Sequence, residues 1–413
     1  MFWWGLKEKN VHLFTINTEM MNITAKSLKT LSALLLLLVS MNSGAQTREK
    51  YEYMRNLPVY ADSLIADFTF PMAWGNSDIT DFDAWKKAAR QKVFDCMLAP
   101  PPAPYLEVGE TSYPVEIIYE EQRDGYKARK IELRLSRYYS VPAYVLVPDG
   151  DGPFPAVNVL HDHGAHLYIG KEKMIRPLAC EEKEVIEDAD AWAENLYEGQ
   201  YLGDYLARNG FVVFSADAPL FGERGQKEGP VRAKYDMIAG NMMMYGIDLS
   251  AYMTYDDISG TEYLASMPEV DSERIACVGC SMGAYRAWTL AALSDRIKVG
   301  AALCWMVTTD EQMSFKYSRT ENGGFANCFP GLRRWLDYPH VASLACPKPM
   351  LFINSATDKL FPIPGVKKAF SQMREVWSSQ DASDNLVTEI WDIPHSYPIS
   401  AQKRTLEFLQ EHL

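Results

Sequence analysis

Several things are scarce in this 413-residue sequence, and each scarcity removes a class of function. Basic residues do not dominate. The 41 Lys and Arg stand against 54 Asp and Glu, a formal charge of −13 with a pI near 5.1, which argues against nucleic acid or an anionic membrane as partner. Cysteine is sparse. Seven cysteines at irregular spacing, an odd number, make no disulfide framework. Cys277-x-x-Cys280 lacks a second pair and lies in an apolar run whose side chains alternate, so it reads as two small buried residues. The leading apolar run, Leu31 to Met41, is far short of the ~20 residues a bilayer span needs. No H-E-x-x-H motif and no internal repeat is present. Histidine is rare as well, with seven in the whole chain, and that rarity becomes useful below.

What is present begins with punctuation at the N-terminus. Lys26 and Lys29 precede the Leu31–Met41 run, and Ser43-Gly44-Ala45 follows it. This is the charged, apolar and small-residue order of a secretory leader, so residues 1–45 are expected to be removed, leaving an exported chain that starts at Gln46. Residues 46–114 form a lead-in with helical spacing over Asp83–Leu98, followed by the stiff stretch Pro100-Pro101-Pro102-Ala103-Pro104. The main domain is expected over 115–413.

Within that domain one stretch organises the rest. The small, apolar run Ile275–Val278 meets Gly279-x-Ser281-x-Gly283, and a helix-like pattern with Ala287, Leu290, Ala291 and Leu293 follows at once. Strand, tight turn and helix is the setting in which G-x-S-x-G marks a nucleophile. The turn forces the serine into a backbone conformation that side chains dislike, and the flanking glycines let strand and helix approach. The helix then aims its N-terminal N–H groups at the reaction centre.

Other strand candidates are Val115–Tyr119, Lys130–Leu135, Ala143–Val147, Ala156–Leu160, Phe211–Ser215, Val299–Cys304, Met350–Asn354 and Val387–Trp391. The early ones are joined by turns and read as antiparallel. The later ones alternate with helical segments, including Leu202–Arg208, Tyr255–Ser266 and Ala401–Leu413. The expected fold is α/β: a mostly parallel central sheet of about eight strands, helices on both faces. Two segments interrupt the alternation, Leu167–Gly199 and Phe221–Gly246, and are expected above the carboxyl ends of the strands as lid or pocket wall.

A serine needs a base, and elimination finds it. His12 lies in the leader, and His161, His163 and His166 precede Ser281, whereas this chain order requires the base afterwards. His340 sits in an irregular stretch and His412 is penultimate. His395 remains, in the loop between the last strand and the closing helix. The acid that orients it is expected at Asp358, in the loop after Met350–Asn354, with Asp392 as rival. The oxyanion donors are expected on the backbone N–H of Met282 and of His163, with Asp162 an alternative for the second. His161-Asp162-His163-Gly164-Ala165-His166 also invites a metal reading, but consecutive turn positions rarely converge on one ion. Hydrogen bonds from His161 or Asp162 that prop this loop are the expectation instead. Neither metal nor cofactor is expected. Trp305, Tyr285, Arg286 and Asp162 are weaker pocket candidates, and a buried ion pair of Arg286 with Asp217 or Glu223 is the expectation for that side chain.

PEVDSERIACVGCSMGAYRAW, with HDHGAH before it and INSATDKLFP and IPHSYP after it, resembles the α/β-hydrolase superfamily, in particular the dienelactone hydrolase-like and acetylxylan esterase-like exported bacterial enzymes. The resemblance covers roughly 115–413. His161-Asp162-His163-Gly164 departs from the His-Gly-Tyr or His-Gly-Gly common in relatives, and Ser281 replaces the cysteine of a dienelactone hydrolase proper. The resemblance implies a secreted serine esterase taking short acyl esters, acetyl above all, on carbohydrates. A prolyl-oligopeptidase-like peptidase, a glucuronoyl esterase, and a hydrolase-fold binding protein without chemistry are the alternatives.

Overall fold

The computed structural model describes residues 53–54, 57–58, 60–98, 113–136, 138–164, 166–225, 232–313 and 324–413. The leader over 1–45, the start at Gln46 and the proline-rich stretch after Leu98 lie outside the described residues, as does part of the second insertion.

The main sheet has nine strands rather than about eight. They are β1 (Val115–Arg123), β2 (Tyr126–Ser136), β3 (Tyr139–Pro148), β4 (Phe154–Leu160), β5 (Val212–Ala216), β6 (Val270–Cys280), β7 (Ile297–Leu303), β8 (Met350–Ser355) and β9 (Leu386–Trp391). Their order across the sheet is β9-β8-β7-β6-β4-β5-β3-β2-β1. The first three pair antiparallel, β3 pairs antiparallel with β5, and the rest are parallel. β1 and β2 run longer than their apolar cores because a solvated strand alternates polar and apolar residues.

Apolar cores lie on both faces of the sheet. Cys277 belongs to one cluster and Cys280 to the other, as side chains three apart on a strand must. On the Cys277 side pack α1 (Phe82–Cys96), α5 (Leu249–Ser266), α6 (Met282–Leu293) and α7 (Ile363–Ser379). On the other side lie α3 (Leu202–Arg208) and α8 (Ile399–His412). The helix of the lead-in is thus part of the compact unit Met54–Leu413. Its Trp85, Ala89 and Val93 are fully buried, and Arg90 Nε donates to Ala292 O at 2.6 Å, capping the end of α6.

Register is what positions the chemistry. Leu160 pairs with Gly279, Cys280 with Leu303, Leu303 with Ile353, and Ser355 with Trp391. Five parallel strands therefore end almost level, and the loops carrying His163, Ser281, Asp358 and His395 leave from one edge.

Candidate active site

Ser281 ends β6 and starts α6 with φ 56° and ψ −124°, a backbone that non-glycine residues adopt only when the surroundings impose it. The imposition is visible. Ser281 N–H donates to Leu303 O at 2.8 Å, and Ala284 N–H returns to Ser281 O at 2.9 Å. A methyl group on Gly279 would meet Gly283 O at 2.2 Å, and one on Gly283 would meet Leu160 O at 1.9 Å. Glycine is required at both positions so that α6 can lie against β4 and β6. All twelve residues of α6 are buried, the polar Arg286 and Thr289 among them, so the helix is enclosed on every side.

His395 Nδ1 lies 2.6 Å from Asp358 Oδ2. The Asp358 side chain is 1% exposed and its other oxygen accepts from Leu360 N–H at 2.7 Å, which fixes the carboxylate plane. Burial pulls the His395 pKa down, but the hydrogen bond to Asp358 and the negative charge around the ring together outweigh it, and the net shift is upward. Nδ1 is thereby committed to the acid and Nε2 is left as the basic nitrogen. Among the described residues, Asp358 and not the rival Asp392 is the carboxylate bonded to the imidazole. Ser281, Met282, His163 and His395 all line one cavity of about 390 Å³. A strained serine at a helix N-terminus, a carboxylate-oriented histidine and a shared cavity form an arrangement that can support nucleophilic acyl transfer.

The remaining candidates separate into those that reach the cavity and those behind it. Trp305 lines the cavity, its ring 4.8 Å edge-on to Phe361. Tyr285 does not line it; its hydroxyl sits 3.0 Å from Ser250 Oγ in the core. Arg286 is likewise removed from the cavity, and its partner is neither Asp217 nor Glu223. It makes a two-pronged pair with Asp257 of α5 at 2.7 and 3.0 Å. Asp217 and Glu223 are engaged instead by Lys171 Nζ at 3.1 and 2.7 Å. Asp162 is buried behind the cavity wall, accepting from Tyr197 Oη at 2.7 Å and Trp192 Nε1 at 3.1 Å.

The three clustered histidines do not converge on one point, although His161 and His163 both pack edge-on to Phe221. His161 Nε2 accepts from Ala218 N–H at 3.0 Å and its Nδ1 is 2.9 Å from Asp162 O, an arrangement that burial keeps neutral. His163 packs edge-on to Phe221 and Tyr235, and His166 reaches Asp188 at 2.8 Å. His161 therefore props the loop through hydrogen bonds, in keeping with the expectation for that position.

Both insertions contribute walls. The first contains α2 (Lys183–Tyr197), which supplies Trp192, Asn195 and Leu196; the second contains α4 (Arg232–Met243), which supplies Tyr235. Gln312, Phe325, Asn327 and Phe361 complete the polar and aromatic lining, and no sequence motif singles these out. Nor does any motif mark Cys304. It sits at φ 58° directly after β7, and its Sγ comes within 4.8 Å of ligand atoms of Asp358 and His395.

With this geometry in view the comparisons are decisive for kinship. Residues 63–378 match the Abhydrolase family, a span that includes Ser281 and Asp358. The chain belongs to this family. YtaP of Bacillus subtilis, named as a hydrolase, is 31% identical over 272 residues, covering 65% of this chain and 83% of YtaP. Among solved structures, a Bacteroides fragilis protein described as an acetyl xylan esterase superposes with a TM-score of 0.62 at 17% identity, covering 80% of each chain. A glucuronoyl esterase from Solibacter usitatus superposes at 0.59 with 14% identity, covering 84% of this chain and 99% of its own. At such identities these two establish the α/β-hydrolase fold.

Proposed function

We propose that this Abhydrolase family member is a serine esterase that removes short acyl groups, acetyl above all, from carbohydrates. Ser281 is the nucleophile, His395 the general base and acid, and Asp358 the group that orients His395. His395 takes the Ser281 proton as Oγ attacks the ester carbonyl. The N–H groups of Met282 and His163 receive the oxyanion, and His395 returns the proton to the departing sugar hydroxyl. Water then attacks the acyl-enzyme by the same route. The observation that carries the reading is the 2.6 Å bond from Asp358 to a histidine that shares its cavity with a strained serine.

The sugar side rests on the lining. Trp192, Trp305, Tyr235 and Phe325 offer aromatic faces, while Asn195, Gln312 and Asn327 offer amides that both donate and accept. Aromatic faces and amides together suit a hydroxyl-rich ring. The leader-like N-terminus supports export, which would bring the enzyme to polymeric substrates; no described helix is long and apolar enough to cross a membrane. Purified protein assayed on p-nitrophenyl acetate, acetylated xylan and proline p-nitroanilides tests the proposal. Acetate release is expected from the first two, and amide cleavage without ester cleavage would overturn it.

A further inference from the structure

The loop expected to bind the oxyanion is held from behind by a buried cation. Lys173 is 0% exposed, and its Nζ donates to the carbonyl oxygens of both Asp162 and His163 at 3.0 Å. Asp162 Oδ1 stands 3.6 Å away, and the Trp192 and Phe221 rings lie 5.4 and 5.1 Å from Nζ. Burying an ammonium costs several kcal/mol unless each of its protons finds a partner. Packing alone would be served by Met at this position. Lys171, two residues earlier, shows the contrast: its Nζ is engaged by the carboxylates of Glu172, Asp217 and Glu223. Lys173 instead directs its donors mainly to the backbone of one loop.

Which backbone atoms it holds is the informative part. The Asp162 carbonyl belongs to the same planar peptide unit as the His163 N–H, and the His163 carbonyl to the same unit as the Gly164 N–H. Both units are trans, so each N–H points opposite to its carbonyl and away from Nζ. His163 and Gly164 both line the cavity that contains Ser281. We infer that Lys173 is a positioning residue that turns two successive peptide N–H groups, of His163 and Gly164, toward the oxyanion. The inference rests on the serine esterase reading and identifies what that reading leaves open, the support of the second oxyanion donor. Gly164 fits the role, since at φ +55° a methyl group there would collide with the Trp192 ring at 2.3 Å. The loop is thus held by Lys173 at its carbonyls and by Trp192 at its flank. Burial pulls the Lys173 pKa down against the raising effect of Asp162, and a neutral amine would still donate to the carbonyls.

The test uses the full chain with Lys173→Met and Lys173→Gln, with kcat expressed per active site titrated by a fluorophosphonate. For p-nitrophenyl acetate, kcat should fall roughly 100-fold in the Met variant, with KM within about threefold, because only the transition state uses the donors. Lys173→Gln, which can still donate to one carbonyl, should fall between Met and the parent. The affinity for an acyl trifluoromethyl ketone, whose adduct carries the oxyanion, should drop in step with kcat/KM. Variants that melt earlier but keep kcat/KM and ketone affinity within threefold of the parent would make Lys173 a structural cation and overturn the inference. A rise in KM with kcat unchanged would overturn it too. A parent that neither turns over esters nor reacts with the fluorophosphonate would instead bring down the esterase reading itself, and this inference with it.

Discussion

Gly283→Ala is the substitution whose consequence follows most directly from the geometry. The new methyl carbon would lie 1.9 Å from Leu160 O and 3.0 Å from His161 O, where ordinary contact begins at 3.4 Å. Both obstacles are backbone, so no side chain can swing aside. Helix α6 must then move off β4 by something on the order of 1.5 Å at its N-terminal end, carrying Ser281 and the Met282 N–H with it. Overpacking of this kind costs about 3 kcal/mol. For a cooperative body the size of Met54–Leu413 that is a melting point lower by roughly 4 °C. Misplacing a reacting atom by ~1 Å costs about 100-fold in rate, so kcat/KM should fall at least that far. Gly240→Ala is the control. It sits in α4 with nothing within 4 Å of the added carbon, and should be neutral or slightly stabilising. Calorimetry and p-nitrophenyl acetate hydrolysis on the two variants decide the matter. A Gly283→Ala protein that melts and turns over like the parent would refute the claim that close approach of α6 to β4 shapes the turn at Ser281.

Other outcomes follow from the same structure. Asp358→Asn should leave the fold intact and lower kcat by roughly 10⁴-fold, since His395 loses the group that fixes its tautomer, whereas Asp392→Asn should change kcat less than about tenfold. In a pH–rate profile, activity should rise with pH through the His395 pKa, which lies above its ordinary 6.5, because only neutral imidazole accepts the Ser281 proton. The stability that His395 draws from Asp358 runs the other way: present in full below pH 6.5 and lost as pH rises through the folded value. His340, pushed down to about 4 by burial, adds stability above pH 6.5 that is lost as pH falls toward 4. Denaturant titrations across pH ~4–9 of the parent and of His395→Ala and His340→Ala variants separate the two contributions. Arg286→Met should destabilise by about 3–5 kcal/mol in urea unfolding, because Asp257 would be left buried and unpaired.

The parts of the site that chemistry confines to a motif are legible in the amino-acid sequence. G-x-S-x-G stands out because Gly279 and Gly283 have no tolerable substitute, and His395 is reachable because so few histidines compete with it. Asp358 follows from its place at the end of an apolar run. The walls are not legible. Trp192 and Asn195 face the cavity only because α2 folds back over the strand ends, and the charge-rich sequence of that insertion does not encode the direction of return. The Arg286 partner escapes sequence reasoning for a related reason. Asp257 lies inside α5, a helix buried nearly all round, where periodicity gives no sign of which carboxylate points inward. Lys171 and Lys173 have the sequence context of surface charge, yet both are fully buried.

The central claim is that Ser281 is a nucleophile activated by His395, and a covalent adduct tests it most directly. Incubation with a fluorophosphonate, followed by intact mass and peptide mapping, should show one adduct, on Ser281. The reaction should be abolished in Ser281→Ala and strongly slowed in His395→Ala. A folded parent that remains unmodified, or that is modified elsewhere at the same rate in Ser281→Ala, would contradict the account.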